Sequence, residues 1–438
     1  MMRTTRILFT TTILIIVMVA VASVQAYAAN LLRPIEVDQT VRQSYAPSPY
    51  PDRIILTWTG DPATTQAVTW ITDTTITEGI AEIAPEDGSP YFVDNAMQFT
   101  ATSETIELQS YTVTYHTVDF TDLEPDTLYA YRVGDGSIWS EWSQFRTAKE
   151  IADPFSFIYV GDAQNNIQSM WTRVIQQAYA KIPDARFILH AGDLINDDQS
   201  DSEWGEWFAA VRGIHTNIPC IATTGNHEYS HLELTPQWRP QFAFPLNGPE
   251  VDALSETVYY IDYQNVRIIS LNTHVMNQEI IPRLTNAQVD WLREVLENNP
   301  NEWTIVTHHH PMYASAAGRT GHYRLNVRFK PLYEFYGVDL VLQAHDHSYA
   351  RGELTSPLGR AFGFDSPTYV VSVSGPKMYE LDAQWAEVSA EGLQCYQHIS
   401  IDGSTLVYKA YTVAGELVDA FYMIKHDNGE KELVYLPE

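Results

Sequence analysis

One stretch, Cys220-Ile221-Ala222-Thr223-Thr224 followed by Gly225-Asn226-His227-Glu228, shows the pattern that decides the fold. An apolar run with the length of a buried strand ends abruptly in a polar cluster. Four more runs end in the same way, in the clusters Gly161-Asp162, Gly192-Asp193, His308-His309-His310-Pro311 and His345-Asp346-His347. Because an open α/β sheet binds its ligands beyond the carboxyl ends of its strands, these clusters are expected to meet at one rim. The pattern therefore predicts an active site at that rim.

The clusters supply the ligand types of a site for two metal ions. Asp162 and Asp193 each follow a glycine, which permits the tight turn that presents a side chain at a strand end. Asn226 offers an amide oxygen to a hard metal. His345 and His347 are two residues apart, so in extended geometry they face the same side and each could serve one of two adjacent metals. Carboxylates, an amide and imidazoles together suit a pair of divalent or trivalent ions.

Length, composition and charge restrict the class of protein. The 438 residues are enough for two domains, and 45% hydrophobic and 12% aromatic residues can form substantial cores. The formal net charge of −29 at pH 7 disfavours nucleic acid or an anionic membrane surface as a partner. Two cysteines, Cys220 and Cys395, are too few for a thiolate metal cage, and a buried free thiol is favoured over a disulfide.

The N-terminus has the features of a secretion signal over residues 1–28. Arg3 and Arg6 precede an uncharged run from Ile7 to Ala22, and Ala26-Tyr27-Ala28 matches the small-x-small cleavage pattern. A retained membrane anchor is the alternative, because the apolar run is long enough to begin a membrane span. We expect cleavage, and a mature protein that is secreted or periplasmic and not bound to a membrane.

The sequence after the signal divides into a lead-in, two domains and a tail. Residues 29–51 contain several prolines and no periodicity, whereas residues 52–149 contain short β runs broken by turn residues, which predicts an all-β sandwich. The segment from Leu123 to Tyr131 resembles the turn and tyrosine-bearing strand of a fibronectin type III domain. Trp139 and Trp142 in this region are read as packing residues, with carbohydrate or surface binding as the alternative.

Residues 150–425 alternate strands with helices, which indicates βαβ units. The predicted helices cover residues 167–180, 202–211, 286–297 and 326–336. The β runs that follow residue 368 are expected to join the same domain, and residues 426–438 are expected to form a C-terminal tail. The predicted fold class is therefore a β-sandwich followed by a four-layer α/β domain with mixed β-sheets.

The order of the five clusters resembles that of the calcineurin-like metallophosphoesterases, and in particular the purple acid phosphatases with their N-terminal fibronectin-like domain. The resemblance covers nearly the whole mature chain. It implies that Asp162, Asp193 and His347 hold a first metal ion. It implies that Asn226, His309 and His345 hold a second, with Asp193 bridging both. His227 and His322 match the histidines that contact phosphate and protonate the leaving group.

Three positions depart from the family pattern. The purple enzymes have a tyrosine three residues after the bridging aspartate, where this chain has Asn196, so a coloured, ferric-selective site is not implied. Other metallophosphoesterases have a histidine where this chain has Gln164. Either Gln164 or Asn196 could be an additional oxygen ligand. An equally good interpretation is that Gln164 forms a hydrogen bond to a ligand and does not bind the metal itself. Ala344 replaces the usual glycine before His345.

The resemblance implies an exported, dinuclear phosphoesterase that hydrolyses small-molecule phosphate monoesters by attack of a metal-activated hydroxide. The metals would be iron, zinc or manganese. Two alternatives stay open from the sequence. The same site could serve a phosphodiesterase or nucleotidase, or the protein could be a non-catalytic surface-binding protein with a degenerate metal site, for which Gln164 and Asn196 are the best support.

Overall fold

The computed structural model describes residues 45–426 and 430–435. The predicted signal, residues 1–28, and most of the predicted lead-in lie outside the described residues. Within them, no helix is long and apolar enough to cross a membrane.

Eight antiparallel strands form the N-terminal sandwich. They are β1 Asp52–Thr57, β2 Gln66–Thr72, β3 Ile80–Pro85, β4 Met97–Thr100, β5 Thr102–Glu107, β6 Thr112–Phe120, β7 Leu128–Gly134 and β8 Ser143–Arg146. One sheet has the order β1-β2-β6-β5 and the other β4-β3-β7-β8. Trp70, Phe120 and Phe145 are buried in the core of the sandwich. The Tyr129 hydroxyl accepts a hydrogen bond from the Glu124 amide at 2.9 Å, which fixes the turn into β7 as in a tyrosine corner.

The second domain contains the remaining strands and most of the helices. Its strands are β9 Phe155–Val160, β10 Ile188–His190, β11 Cys220–Ala222, β12 Tyr229–Ser230, β13 Glu233–Leu234, β14 Tyr259–Tyr263, β15 Val266–Ser270, β16 Trp303–Thr307, β17 Leu340–Gln343, β18 Tyr349–Glu353, β19 Thr368–Val371, β20 Val388–Ala390, β21 Cys395–Asp402, β22 Thr405–Thr412, β23 Leu417–Lys425 and β24 Lys431–Tyr435. Its helices are Thr172–Lys181, Asp201–Ala210, Trp238–Gln241, Thr273–Gln278, Arg283–Glu297, Tyr323–Arg328, Lys330–Tyr336 and Pro357–Phe362. Short helical turns occur at Pro90–Asn95 in the sandwich and at Ile167–Trp171 and Asp252–Leu254 here.

Two seven-stranded mixed sheets form the centre of this domain, in the orders β11-β10-β9-β21-β22-β23-β24 and β14-β15-β16-β17-β19-β18-β20. The side chains of β16 and β17 alternate between two cores, as a pleated strand requires. Ile305, Leu340 and Leu342 join the core shared with the first sheet. Val306 and Val341 join a second core with the helices Arg283–Glu297 and Lys330–Tyr336. Helices Thr172–Lys181 and Asp201–Ala210 also pack on the first core, so the layers follow the order α/β/β/α. The predicted fold class is confirmed.

Two local predictions differ from the structure. The predicted helix over residues 326–336 is two helices that meet at Phe329, because Pro331 lies in the first turn of the second helix and has no N–H to continue the first. The predicted tail, residues 426–438, contains β24, which pairs antiparallel with β23. This hairpin occupies the edge of the first sheet, so residues 431–435 are part of the domain.

The sandwich packs against the second domain at the edge where β9, β10 and β11 begin. Trp58 contacts Phe187, just before β10, with a ring separation of 5.8 Å. The Leu56 amide donates to the His215 carbonyl at 2.9 Å. The buried Arg53 guanidinium makes two 2.8 Å hydrogen bonds to the Asp201 carboxylate at the start of a helix. The sandwich therefore packs both against the residues that precede β10 and β11 and against the start of the helix that follows β10.

Removing one partner of the Arg53–Asp201 pair leaves a buried, uncompensated charge. We expect Arg53→Ala to lower the free energy of unfolding by about 3–5 kcal/mol, measured by urea denaturation. Replacing the pair together, with Arg53→Met and Asp201→Leu, should restore most of that loss because no charge remains buried. The control is Arg293→Ala, which removes an exposed ion pair with Asp290 and should cost less than about 1 kcal/mol. Equal losses in Arg53→Ala and Arg293→Ala would contradict the prediction.

Candidate metal centre

The structure brings the five polar clusters together at the carboxyl ends of β9, β10, β11, β16 and β17. Backbone hydrogen bonds link them directly: the Asp162 amide donates to the Gly192 carbonyl at 3.1 Å and the Ala344 amide to the His309 carbonyl at 3.0 Å. The approach at Gly225 is so close that a Cβ there would lie 2.1 Å from Asp193 Oδ1. A side chain at position 225 is therefore incompatible with this arrangement.

Four of the predicted ligand residues have a left-handed backbone conformation. The φ angles are 49° at Asp162, 51° at Asp193, 74° at His345 and 46° at His347. This region is uncommon for residues other than glycine, although Asp and His tolerate it better than most. The conformation turns the chain sharply after each strand and aims the side chain over the edge of the sheet.

One group of ligand atoms converges on His309. Its Nε2 lies 3.0 Å from Asp193 Oδ2, 3.1 Å from His345 Nδ1 and 3.2 Å from Asn226 Oδ1. Its Nδ1 lies 2.9 Å from the Ala191 carbonyl oxygen, which can only accept, so Nδ1 carries the proton and donates it. When the ring is neutral, its Nε2 lone pair points into the group, as a metal ligand requires.

A second group shares Asp193 with the first. The carboxylates of Asp162 and Asp193 and the imidazole of His347 offer ligand atoms within 4.8 Å of one another. His347 Nε2 lies 3.8 Å from Asp162 Oδ1, and its Nδ1 donates to the Lys377 carbonyl at 2.8 Å. Asp162 Oδ2 accepts the His345 amide at 2.8 Å, which ties the two groups together.

Gln164 and Asn196, the two candidates for an additional metal ligand, have different surroundings. The buried Gln164 amide nitrogen lies 2.9 Å from Asp193 Oδ2 and 3.1 Å from His347 Nε2, so this side chain contacts two of the predicted ligands. Asn196 Oδ1 instead accepts a hydrogen bond from Asn165 at 2.9 Å. The structure thus places Gln164 inside the ligand group and turns the Asn196 side chain toward Asn165.

Burial and mutual charge dominate the electrostatics of the centre. Burial raises the pKa of Asp162 well above its usual value, and the nearby Asp193 carboxylate adds to this. Burial alone would lower the pKa of His309, but the Asp193 charge and hydrogen bond raise it to about 9. Burial lowers the pKa of His347 to about 3 and that of His345 well below its usual value. The carboxylates therefore need compensating positive charge, and these two imidazoles are neutral electron-pair donors.

The two groups fit a pair of metal ions. Asp162 Oδ1 is a buried oxygen without a hydrogen-bond partner among the described residues, and a cation would supply one. A buried polar group without a hydrogen-bond partner costs about 1–3 kcal/mol of stability, and a charged carboxylate costs more. Oxygen and imidazole donors without thiolate suit iron, zinc or manganese.

The two predicted catalytic histidines border these groups. The His227 amide donates to Asp193 Oδ1 at 2.9 Å, its Nδ1 lies 2.6 Å from the Asn196 carbonyl oxygen, and its Nε2 lies 4.0 Å from Asp193 Oδ2. The His322 ring lies 5.9 Å from the His345 ring between centroids, just before the helix Tyr323–Arg328. Burial lowers the pKa of His322, and the Asp346 carboxylate opposes this effect.

Glu228 has a structural role in the centre that sequence reasoning missed. Its buried carboxylate accepts the amides of Gly225 at 2.6 Å, Asp193 at 3.0 Å and Leu194 at 2.7 Å. Burial raises the pKa of Glu228 to about 7, with a further contribution from the Asp193 charge, while the amide donors oppose the shift. Its place in the Gly225–Glu228 cluster was the only signal for it. The carboxylate holds the loop of Asp193 against that of Asn226.

A glutamine at position 228 would place an NH₂ group against backbone N–H donors. We expect Glu228→Gln to weaken Zn²⁺ binding by about 10–100-fold, measured by calorimetric titration of metal-free protein, because outer partners hold the ligands in place. The matched control is Glu279→Gln, since buried Glu279 also accepts two backbone amides, from Leu284 and Thr285. Unchanged affinity in Glu228→Gln, or an equal loss in the control, would contradict the prediction.

Comparison with protein families divides the chain as the fold does. Residues 51–147 match the N-terminal domain of purple acid phosphatases, and residues 155–349 match the calcineurin-like phosphoesterases. The second match runs from β9 to the start of β18, and it contains all eight of the predicted metal-binding and catalytic residues together with Gln164 and Asn196.

Individual relatives agree with this division. Acid phosphatase type 7 of Danio rerio is 31% identical over 269 residues, or 55% of this chain and 58% of that protein. Fe(3+)-Zn(2+) purple acid phosphatase 12 of Arabidopsis thaliana is 28% identical over 273 residues, or 59% of this chain and 57% of that protein. The chain thus spans less than two thirds of either relative.

Among solved structures, a purple acid phosphatase from seeds of yellow lupin (Lupinus luteus) superposes with a TM-score of 0.71 at 17% identity, covering 87% of this chain and 75% of the other, which establishes similarity of fold. The chain therefore contains a calcineurin-like phosphoesterase domain that follows an N-terminal domain of the purple acid phosphatase type.

Proposed function

We propose that this protein hydrolyses phosphate monoesters of small molecules at a centre of two metal ions. The observation that carries the proposal is the sharing of Asp193 between two ligand groups, with His227 and His322 at their border. Asp162, Asp193 and His347 would hold one ion, with Gln164 beside it. Asn226, His309 and His345 would hold the other. When bound, such ions supply Lewis acidity that activates water near neutral pH and neutralises charge on the phosphoryl group.

The protein side chains bind and orient the substrate. His227 is fixed by its bonds to Asp193 and to the Asn196 carbonyl, so its Nε2 is presented toward a phosphoryl oxygen. His322 lies beside His345 and transfers a proton to the departing alkoxide oxygen.

The metal pair is proposed to be iron with zinc or manganese, in keeping with the iron and zinc in the name of the Arabidopsis relative. The Asn196 side chain bonds Asn165 and provides no phenolate, so an iron-loaded sample would lack the visible charge-transfer band of a tyrosine-ligated ferric ion.

We also propose export by residues 1–28, supported by the arginines, apolar run and small-residue site in the sequence. Fractionating cells that express the full chain and sequencing the N-terminus of the product tests this: protein outside the cytoplasm that begins after Ala28 supports export, and protein that stays in the cytoplasm with an intact N-terminus contradicts it.

The metal content of variants distinguishes a ligand shared by both ions, Asp193, from a ligand of one ion, His347. We expect two metal ions per chain in the native protein by elemental analysis, one in His347→Ala, and close to none in Asp193→Asn, because both groups use Asp193. Turnover of p-nitrophenyl phosphate should fall at least about 100-fold in both variants, since charge stabilisation in the transition state is lost. Asp290→Asn, which changes an exposed carboxylate, is the control and should keep both ions and full turnover.

The substrates decide between the alternatives. Faster turnover of bis-p-nitrophenyl phosphate than of p-nitrophenyl phosphate would overturn the monoester assignment in favour of a diesterase. A native protein that binds two ions and hydrolyses neither compound would overturn the enzymatic assignment and favour a surface-binding role.

A further inference from the structure

The segment that carries His322, residues 313–322, is attached to the loop of His345 and His347 chiefly through Asp346. This segment, the rim loop, runs from the end of the His308–Pro311 cluster to the helix Tyr323–Arg328. Its Ser315 and Ala316 amides donate to Asp346 Oδ2 at 2.7 Å and 3.3 Å. Asp346 stands between His345 and His347 in the sequence and is 1% exposed, so its carboxylate is aimed away from the ligands and into the rim loop.

Arg319 also connects the rim loop to the loop of His345 and His347. Its Nη1 donates to Asp346 Oδ1 at 2.8 Å and to the His345 carbonyl at 3.1 Å. The guanidinium also lies 4.6 Å from the centre of the Tyr379 ring, and that ring lies 4.7 Å from the His347 ring. One cation therefore contacts the backbone of one predicted ligand and, through Tyr379, the side chain of the other.

His322 follows Arg319 by three residues, and its carbonyl accepts the Asn326 amide at 3.1 Å. Gly318, with φ 76°, precedes Arg319, and Gly321 precedes His322. A Cβ at Gly321 would lie 2.8 Å from the Met312 carbonyl oxygen, so the chain passes close to its own beginning there. The His322 ring contacts the rings of His310 and His345 at centroid distances of 4.8 Å and 5.9 Å. Arg319 lies between these two glycines, so its contact with Asp346 links the segment immediately before His322 to the loop of the metal ligands.

A purely structural ion pair would not need this placement. Among the described residues, the hydrogen-bond partners of the buried Asp346 carboxylate are all on the rim loop. Charge-assisted hydrogen bonds of this kind are short and directional, which suits them to fix one segment relative to another. The side chain of Arg319 is also one third exposed, at 33%, so the contact lies at the open side of the centre.

We propose that Arg319 and Asp346 are positioning residues that hold His322 at the distance from the metal ligands at which it protonates the leaving group. This inference rests on the proposed function. It assigns the two residues an effect on proton transfer and none on metal binding or phosphoryl binding. Their loss should therefore depend on how much the leaving group needs a proton.

Two substrates measure that dependence in the metal-loaded protein. We expect Arg319→Ala to lower kcat for an alkyl phosphate, which leaves as a strongly basic alkoxide, by about 100-fold, the usual size of a general-acid contribution. For p-nitrophenyl phosphate, whose phenolate leaves without protonation, the loss should be less than about threefold, with two metal ions retained and KM unchanged. His322→Ala should show the same contrast, and adding Arg319→Ala to it should cause little further loss, because the two act as a unit. Asp346→Asn is the second variant if Arg319→Ala does not fold.

Arg293→Ala is the control for loss of a positive charge from this acidic chain and should affect neither substrate. Equal losses on the two substrates would overturn the inference and leave the pair as a structural tether. Loss of metal from Arg319→Ala would also overturn the inference. So would a double variant, Arg319→Ala with His322→Ala, in which the two losses of kcat add in full. If the native protein with two metals hydrolyses neither substrate, the proposed function fails and the inference fails with it, which is a different result from equal losses.

Discussion

Two buried carboxylates side by side are the constraint on which the centre depends. Asp162 and Asp193 lie at the edge of a core from which water is excluded, where like charges repel strongly and neither can be solvated. The imidazole of His309 and the amide donors around Asp193 compensate part of this charge. Asp162 Oδ1 has no such partner among the described residues. The close contacts at the glycines and the convergence of ligand atoms follow from packing these charges around a place for cations.

The sequence was sufficient for the fold class and for the grouping of the strand-end clusters, because both depend on local pattern. An apolar run that ends in a polar cluster is visible without knowledge of neighbours in space. The role of Glu228 and the contact between Arg319 and Asp346 were not predictable, since their partners are 34 and 27 residues away in the sequence. The strand β24 was missed because none of its five residues is buried, so the pattern of a buried strand is lacking. The break at Phe329 was missed although Pro331 signalled it.

The departures from the family pattern are accommodated by their surroundings. The Cβ that glycine at 161 lacks would lie 2.7 Å from the Cβ of Ala344, so Gly161 leaves room for the methyl group at the position where glycine is usual. Gln164 contacts Asp193 and His347, which keeps a polar group where other family members have an imidazole. Asn196 retains a structural function through its carbonyl, which bonds His227. Gln164 thus stays within the ligand group, whereas the side chain of Asn196 turns out of it.

The left-handed backbone at Asp162, Asp193, His345 and His347 has a consequence for the evolution of the chain. Each such conformation at a residue with a side chain costs roughly 1–2 kcal/mol relative to the usual region. Glycine at these positions would relieve that cost and remove the ligands. Selection for stability alone therefore runs against the centre, and the two large sheets must supply the surplus that keeps it. A copy of this gene released from its function would be expected to lose these four residues early and to become a more stable protein as it did so.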